Sequence, residues 1–236
     1  MKVGIILQAR MGSSRFPGKV LRLIGKRKLL EHVFFRLRHS KVETTLIVAT
    51  PDITADDPIS ELCRQHEVAC FRGSELNVLD RYYRCALRHA FDHIVRLTGD
   101  NPFVDIEEMD RLIRLHLETE ADFSYSFQVL PIGCGAEIFS FPALATSFQE
   151  GHASHHLEHV DEYIFDHLDR FRTSALIVPG DKQKPKVRLT VDTPEDYARA
   201  CFIVKHSSSE YVSTEEAIAL AADFDHITRK PSGGIL

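Results

Sequence analysis

The chain has 236 residues, of which 44% are hydrophobic, and a formal net charge of −5. This length can bury a substantial core, so we expect one domain over residues 1–236. No apolar run approaches the length of a membrane span, and the N-terminus lacks the pattern of a signal peptide. Five scattered cysteines without C-x-x-C spacing indicate a reducing cytoplasm rather than a zinc or disulfide framework.

Short apolar runs alternate with helical patterns along most of the chain. This alternation predicts an α/β fold, with a mostly parallel mixed central sheet and helices on both faces. A small β/α excursion is expected at about 127–185, and a mobile tail at 229–234. The predicted strands are 3–9, 44–50, 68–71, 93–98, 122–127, 136–140, 172–178 and 186–191, and the predicted helices are 28–39, 57–66, 76–91, 106–118, 155–168, 194–206 and 214–224.

The first predicted strand leads into a Gly/Ser loop that carries Arg10, Arg15 and Lys19 within ten residues. Such a loop can surround a polyphosphate with backbone amides and positive charge. It is not a P-loop, because Gly12 and Gly18 enclose five residues and no Ser or Thr follows the lysine. The dinucleotide fingerprint is also absent from the sequence. We therefore interpret the segment as a nucleotide triphosphate loop.

Positive charge is concentrated at the start of the chain, where residues 1–42 hold eleven Lys or Arg and one acidic residue. A basic patch on an acidic protein favours a compact anion over a nucleic-acid track. Aromatic residues do not interleave with this segment and Trp is absent, so no nucleic-acid partner is expected.

Two aspartates, Asp100 and Asp192, each follow a predicted strand. Ligands of parallel sheets bind outside the carboxyl ends of the strands, where both residues are expected. Carboxylates together with phosphate oxygens are a typical Mg²⁺ site. The residues alone leave another interpretation open, because Asp192 or Thr193 could equally cap the helix that begins at Pro194.

The loop pattern R-x-x-S-x-R-x-P-G-K at 10–19 resembles the signature of cytidylyltransferases of the CMP-sugar synthetase group. The chain is most similar to the spore coat polysaccharide biosynthesis SpsF group. Further blocks extend the resemblance, in the expected order, over nearly the whole chain. They are LEHV at 30–33, FRGSE at 71–75, VLDRY at 78–82, TGD at 98–100, EIFS at 137–140, EHV at 158–160 and LTVDTPED at 189–196.

The resemblance implies a Rossmann-like nucleotide-diphospho-sugar transferase fold. It also implies Mg²⁺-dependent transfer of CMP from CTP to a sugar or sugar-acid acceptor, with release of pyrophosphate, in surface polysaccharide or glycan biosynthesis. Arg10, Arg15 and Lys19 would be the catalytic cations. Asp100 and Asp192 would bind the metal. The nucleotide site would contain Leu7, Gln8, Ala9, Arg10, Gly12, Ser13, Arg15, Lys19, Arg72, Asp80, Arg81, Thr98, Gly99 and Asp100.

The acceptor is expected to bind over the nucleotide crevice, against Gly135, Glu137 and His159. Many members of the family carry an acidic residue at the position of Gly135, so this chain departs from the pattern and the acceptor stays open. The expected partners are CTP and an anionic or sugar-like small-molecule acceptor. No association with a membrane is expected. The resemblance is also compatible with a homodimer.

Two other functions stay open from the sequence. A GT-A-like glycosyltransferase would require a D-x-D motif for its nucleotide diphosphate. Residues 100–102 of this chain are Asp-Asn-Pro instead. A non-catalytic nucleotide-binding module would be marked by loss of Lys19 or of one aspartate, yet all three are present. The histidine-rich run at 152–159 also suggests zinc through His155 and His159, although no third ligand is spaced to complete the site.

Overall fold

A seven-stranded sheet forms the centre of the protein, for which a computed structural model describes residues 1–229. Beyond Arg229, the predicted mobile tail lies outside these residues. The strands in chain order are β1 (Val3–Gln8), β2 (Leu23–Ile24), β3 (Arg27–Lys28), β4 (Thr45–Pro51), β5 (Ala69–Gly73), β6 (His93–Thr98), β7 (Phe123–Tyr125), β8 (Glu137–Ser140) and β9 (Thr173–Ala175). Strands β2 and β3 form a separate hairpin, and the other seven form the central sheet.

The helices follow the strands in the predicted alternation. They are α1 (Leu29–Leu37), α2 (Asp57–Gln65), α3 (Val78–His89), α4 (Ile106–Glu118), α5 (Phe141–Glu150), α6 (Ser154–Glu158), α7 (Glu162–Asp166), α8 (Pro194–His206) and α9 (Thr214–Arg229). Short 3-10 helices occupy Lys19–Leu21, Thr54–Asp56 and Leu168–Arg170. In the described part of the chain, no helix combines the length and the apolar character that crossing a bilayer requires.

The order of the strands is β5-β4-β1-β6-β8-β7-β9. Strands β5, β4, β1 and β6 are parallel, whereas β8 runs antiparallel to both β6 and β7. The predicted fold class, a mostly parallel mixed sheet in an α/β protein, is therefore confirmed. The single-domain assignment and the limits of the excursion at 127–185 stay predictions.

Strand β1 shows why the sheet is covered on both faces. Ile5 and Leu7 belong to one core cluster, and Ile6 between them belongs to a second cluster on the opposite face. Successive side chains of a strand point to opposite faces, so a continuous apolar run needs a layer of helices on each side. The polar residues that follow the run are left at the edge of the sheet.

Two elements were predicted incorrectly. Residues 186–191 form no strand of the sheet, and one bridge between Ile132 and Arg188 is all the pairing that the described structure assigns to them. The predicted helix 155–168 is split into α6, α7 and a 3-10 turn, because His159 adopts an extended conformation with φ −119° and ψ 114°.

Besides short 3-10 turns, a hairpin and a helix of the described chain were not predicted. The hairpin of β2 and β3 is too short to give a periodic signal, and Gly25 has a φ of 63° between the strands. Helix α5 begins where the Ser140 hydroxyl accepts a hydrogen bond from Ala143 N, at 3.2 Å.

Gly4 in β1 provides a test of the packing between the sheet and the segment after α3. A Cβ atom at this position would lie 2.2 Å from the Phe91 ring. Gly4→Ala should therefore lower the free energy of unfolding by about 1–3 kcal/mol, measured by urea denaturation. Gly180→Ala is the control, because nothing lies within 4 Å of its Cβ position. The loss should shrink when Phe91→Leu is added, and additive effects would show that the ring is not the obstacle.

Candidate active site

A cleft of about 280 Å³ opens at the carboxyl ends of β1 and β6. Parallel sheets place their ligands at this edge, so the cleft is the candidate site. Its lining comprises Gln8, Ala9, Arg10, Ser13, Ser14, Arg15, Lys19, Val20, Val78, Arg81, Arg96, Thr98, Gly99, Asp100, Glu158, His159 and Asp192.

The loop after β1 is held in place by hydrogen bonds that its backbone amides donate. Met11 N donates to the buried Asp56 carboxylate at 2.5 Å, and Gly18 N donates to Met11 O at 3.0 Å. Gly18 has a φ of 68°, in the left-handed region that glycine adopts without strain. This turn directs the next side chain, Lys19, into the cleft. Arg10 is exposed and makes no hydrogen bond or ion pair with the described residues.

Lys19 is a buried cation of the cleft and is only 7% exposed. Its Nζ donates to Asp100 Oδ2 at 2.8 Å and to Asp192 Oδ1 at 2.9 Å. The other Asp100 oxygen, Oδ1, accepts a hydrogen bond of 2.6 Å from the Thr98 hydroxyl. The structure thus brings together three residues predicted for the site, from three distant segments.

Asp192 is not the capping residue of α8. The cap is Thr193, whose hydroxyl accepts from Asp196 N at 3.2 Å while the Asp196 carboxylate accepts from Thr193 N at 3.1 Å. The Asp192 carboxylate instead faces Lys19, Arg15 at 3.4 Å and Arg188 at 3.0 Å. Burial raises the pKa of Asp192, but the hydrogen bond and charge of Lys19, with the two arginines, bring it below its ordinary value.

Asp100 and Asp192 fit a divalent ion in the chemistry of their donors. Carboxylate oxygens are the ligands that Mg²⁺ prefers, and it is typically bound by one or two carboxylates plus substrate phosphates. Here two carboxylates turn one oxygen each toward a common cation. The role of both residues as metal ligands stays a prediction.

Two residues at the end of β1 and on α3 are suited to the nucleoside side of the cleft. Gln8 Oε1 is buried without a hydrogen-bond partner in the described structure, so its side-chain amide is available to a ligand. Arg81 is 2% exposed yet lines the cleft, and burial lowers the pKa of its guanidinium. Its Nε is likewise buried without a partner.

Other residues predicted for the nucleotide site lie outside the lining of this cleft. Leu7 is fully buried in the core beneath it. Arg72 pairs with Asp57 and donates to Ile53 O at 2.5 Å. The Asp80 carboxylate accepts from Arg84 Nε at 2.6 Å. Gly12 lies in the loop itself, with nothing within 4 Å of its Cβ position. Their contacts to a nucleotide stay predictions.

The residues predicted for the acceptor occupy different positions. His159 lines the cleft directly, next to Glu158. Glu137 lies behind it and accepts a hydrogen bond of 2.7 Å from Arg96, which reaches the cleft. Gly135 packs closely on another backbone segment, since a Cβ there would lie 2.4 Å from Phe127 Cα.

Arg96 and Glu137 form a buried cross-strand pair, directly opposite each other on β6 and β8. Asp161 lies 3.9 Å from the same guanidinium group, so two carboxyl groups share one cation. Burial raises the pKa of Glu137 to about 8, against the attraction of Arg96 and with the repulsion of Asp161. Glu137 can therefore hold a proton near neutral pH.

The histidine-rich run does not bring His155 and His159 together as a pair of zinc ligands, the alternative that their spacing suggested. His155 Nε2 and His156 Nε2 lie 2.9 and 2.8 Å from one oxygen of Asp166, whereas His159 faces the cleft. His155, His156 and Asp166 lie close enough together to hold a metal ion. However, His156 Nδ1 is buried and has no hydrogen-bond partner among residues 1–229, whereas the second nitrogen of a metal-bound imidazole almost always donates its proton to an acceptor.

Sequence reasoning missed Arg96, Arg188, Ser14, Val20, Val78 and Glu158. A charged residue within an apolar strand run was an available signal for Arg96, since buried charges are rare unless paired. Arg188 had no comparable signal, because its role depends on the return of the chain to the edge of the sheet.

Known proteins resemble this chain over most of its length. The protein-family profile described as cytidylyltransferase matches residues 4–223. The chain belongs to the cytidylyltransferase family. This cytidylyltransferase is 39% identical over 197 residues to the spore coat polysaccharide biosynthesis protein SpsF of Bacillus subtilis, covering 81% of this chain and 82% of that protein.

Two solved structures extend the comparison. A cytidylyltransferase from Leptospira borgpetersenii serovar Hardjo-bovis has a TM-score of 0.89 and 30% identity, with 100% of both chains covered. CMP:2-keto-3-deoxy-manno-octonic acid synthetase complexed with CTP has a TM-score of 0.67 at 16% identity, covering 87% of this chain and 99% of that chain, and shows a shared fold. The predicted family is confirmed. A nucleotidyltransferase is supported in place of the glycosyltransferase and the non-catalytic module.

Glu137 gives this cytidylyltransferase a specific dependence of stability on pH. Its pKa in the folded protein, about 8, lies above the ordinary value of 4.5, so the folded state binds the proton more tightly than the unfolded chain. The resulting stabilisation is complete below pH 4.5 and is lost as the pH rises through 8. Between pH 6 and pH 9, wild type should lose free energy of unfolding relative to Glu137→Gln.

Urea denaturation at both pH values measures this difference. Glu158→Gln, which removes an exposed carboxyl group from the same cleft, is the control and should follow wild type. A constant difference between Glu137→Gln and wild type over this range would show that Glu137 is already ionised at pH 6.

Proposed function

We propose that this cytidylyltransferase transfers CMP from CTP to a sugar or sugar-acid acceptor with the help of Mg²⁺, in surface polysaccharide or glycan biosynthesis in the cytoplasm. The observation that carries the proposal is the bridge of Lys19 between Asp100 and Asp192, at the floor of a cleft that Arg10 and Arg15 also line. The arrangement combines carboxylates for a metal with cations for a triphosphate.

The triphosphate is proposed to lie along the loop at 10–19. Arg10 is exposed without a partner among the described residues, and the Arg15 side chain is 65% exposed, so both can turn to an incoming anion. Gln8 and Arg81 would contact the nucleoside end, where each has a buried polar atom without a partner. The CTP bound to the synthetase of similar fold supports cytosine as the base.

Asp100 and Asp192 would hold the Mg²⁺ ion. When bound, the ion neutralises negative charge on the phosphates and orients them for displacement. The donors fit this ion, and the Asp192 pKa, kept below its ordinary value, favours the ionised form that a metal requires.

In the proposed reaction, an acceptor oxygen attacks the α-phosphorus of CTP. A new P–O bond forms to the acceptor as the bond to the leaving pyrophosphate breaks. Arg10, Arg15 and Lys19 offset the charge that develops on the phosphate oxygens, so catalysis depends on positioning and electrostatics.

The acceptor is proposed to enter beside His159, with Arg96 and Glu137 behind it. An attacking oxygen must approach opposite the leaving pyrophosphate, and His159 lines the same cleft as the loop that would hold the phosphates. The CMP:2-keto-3-deoxy-manno-octonic acid synthetase of similar fold supports a sugar acid as the acceptor, and the spore coat polysaccharide biosynthesis protein SpsF supports a polysaccharide pathway.

A pyrophosphate-release assay tests the reaction, with each of the four NTPs and a panel of sugar acids and sugar phosphates. We expect turnover with CTP. Lys19→Ala and Arg15→Ala should each slow it by roughly 10²–10³-fold, the usual effect of losing one contact to developing charge. The control is Lys26→Ala, an exposed cation of the same basic segment outside the cleft. Equal turnover in all four proteins would rule out the triphosphate role of the loop.

His159→Ala tests the acceptor side with the acceptor identified by that assay. Loss of an acceptor contact should raise the acceptor KM or lower kcat, with the Kd for CTP unchanged in isothermal titration calorimetry. The control is His152→Ala, which removes an exposed histidine of the same run that is not in the cleft. A weaker Kd for CTP with unchanged acceptor kinetics would assign this wall to the nucleotide.

A further inference from the structure

The Lys19 ammonium lies where a divalent ion would have to bind. It contacts Asp100 Oδ2 at 2.8 Å and Asp192 Oδ1 at 2.9 Å, and its side chain is 9% exposed. A Mg²⁺ ion held by these two carboxylates would need the space that the ammonium occupies, because Mg²⁺ binds carboxylate oxygens at about 2.0–2.1 Å. The ammonium and the ion cannot both occupy it, because they would overlap and repel each other.

Each carboxylate is held by one oxygen and presents the other to Lys19. Asp100 Oδ1 accepts from the Thr98 hydroxyl at 2.6 Å and leaves Oδ2 to the ammonium. Asp192 Oδ2 accepts from Arg188 at 3.0 Å and leaves Oδ1 to the ammonium. Both carboxylates therefore stay oriented when Lys19 moves away.

We propose that Lys19 and the divalent ion exchange: the ammonium holds the two carboxylates together until the ion arrives, and then moves to the triphosphate. This inference rests on the metal and triphosphate sites proposed above. Movement of Lys19 breaks two short ion pairs, which the triphosphate anion beside Arg10 and Arg15 replaces. The ion consequently binds weakly alone and strongly together with the nucleotide.

Lys19→Met tests the exchange by metal binding without turnover. Removing the ammonium should strengthen Mn²⁺ binding to the nucleotide-free protein by about tenfold, the change expected when a competing ion pair worth about 1.4 kcal/mol is lost. Mn²⁺ affinity is measured by electron paramagnetic resonance, and the rise in Tm on adding Mn²⁺ should also be larger in the variant. Unchanged or weaker Mn²⁺ binding would overturn the proposal.

Arg15→Met separates occupation of the site from a general effect of charge in the nucleotide-free protein. Arg15 lies 3.4 Å from Asp192 without contacting Asp100, whereas within the described chain Lys19 contacts both. We expect a clearly smaller gain in Mn²⁺ affinity from Arg15→Met, and an equal gain would overturn the proposal. Adding Asp100→Asn to Lys19→Met should abolish the tighter binding, and its persistence would place the ion elsewhere.

Mn²⁺ binding measured with and without CTP distinguishes the exchange from the proposed function. In wild type, CTP should strengthen Mn²⁺ binding, and the advantage of Lys19→Met should disappear when CTP is present. A nucleotide-free gain in Lys19→Met that CTP abolishes, together with no transfer of CMP to any acceptor, would support the exchange and refute the proposed function. Turnover of CTP by wild type without that gain would support the proposed function and refute the exchange.

Discussion

The buried ammonium of Lys19 joins three segments that lie far apart in the sequence. It connects the loop after β1, the turn after β6 and the segment before α8 through two ion pairs. The Lys19 side chain is 9% exposed and the two carboxylates are 25% and 21% exposed, so these pairs are partly shielded from water and help to position the three segments relative to one another. Backbone bonds reinforce the arrangement: Gly99 N donates to Gln8 O at 2.7 Å, and Val191 N donates to Asp100 O at 2.9 Å.

The sheet determines what surrounds this cluster. Parallel neighbours β1 and β6 end side by side, which brings the basic loop and the Asp100 turn to one edge. Strand β8 then enters antiparallel beside β6 and places Glu137 opposite Arg96. The cleft thus has one wall where the exposed Arg10 and Arg15 can meet phosphates, and a second wall where Arg96 is paired with carboxyl groups. The first wall would bind the triphosphate, and the second wall would bind the acceptor.

The sequence predicts the elements whose signals are local. The apolar run of β1, the left-handed Gly18 of the loop and the position of Asp100 after β6 each have a physical reason within a few residues. The errors arise where distant contacts decide. Residues 186–191 have the composition of a strand but bond to Ile132 and Asp100 instead of a sheet neighbour. The pairing of Arg96 likewise depends on β8, whose position in the sheet has no local signal.

Anomalous diffraction from crystals soaked with MnCl₂ and CTP tests the central claim most directly, because it locates the ion and the triphosphate together. The account predicts a manganese peak within coordination distance of Asp100 and Asp192, with Lys19 turned to the phosphates beside Arg10 and Arg15. A peak at His155, His156 and Asp166 with none between the two aspartates, or a triphosphate bound away from the loop at 10–19, would contradict it.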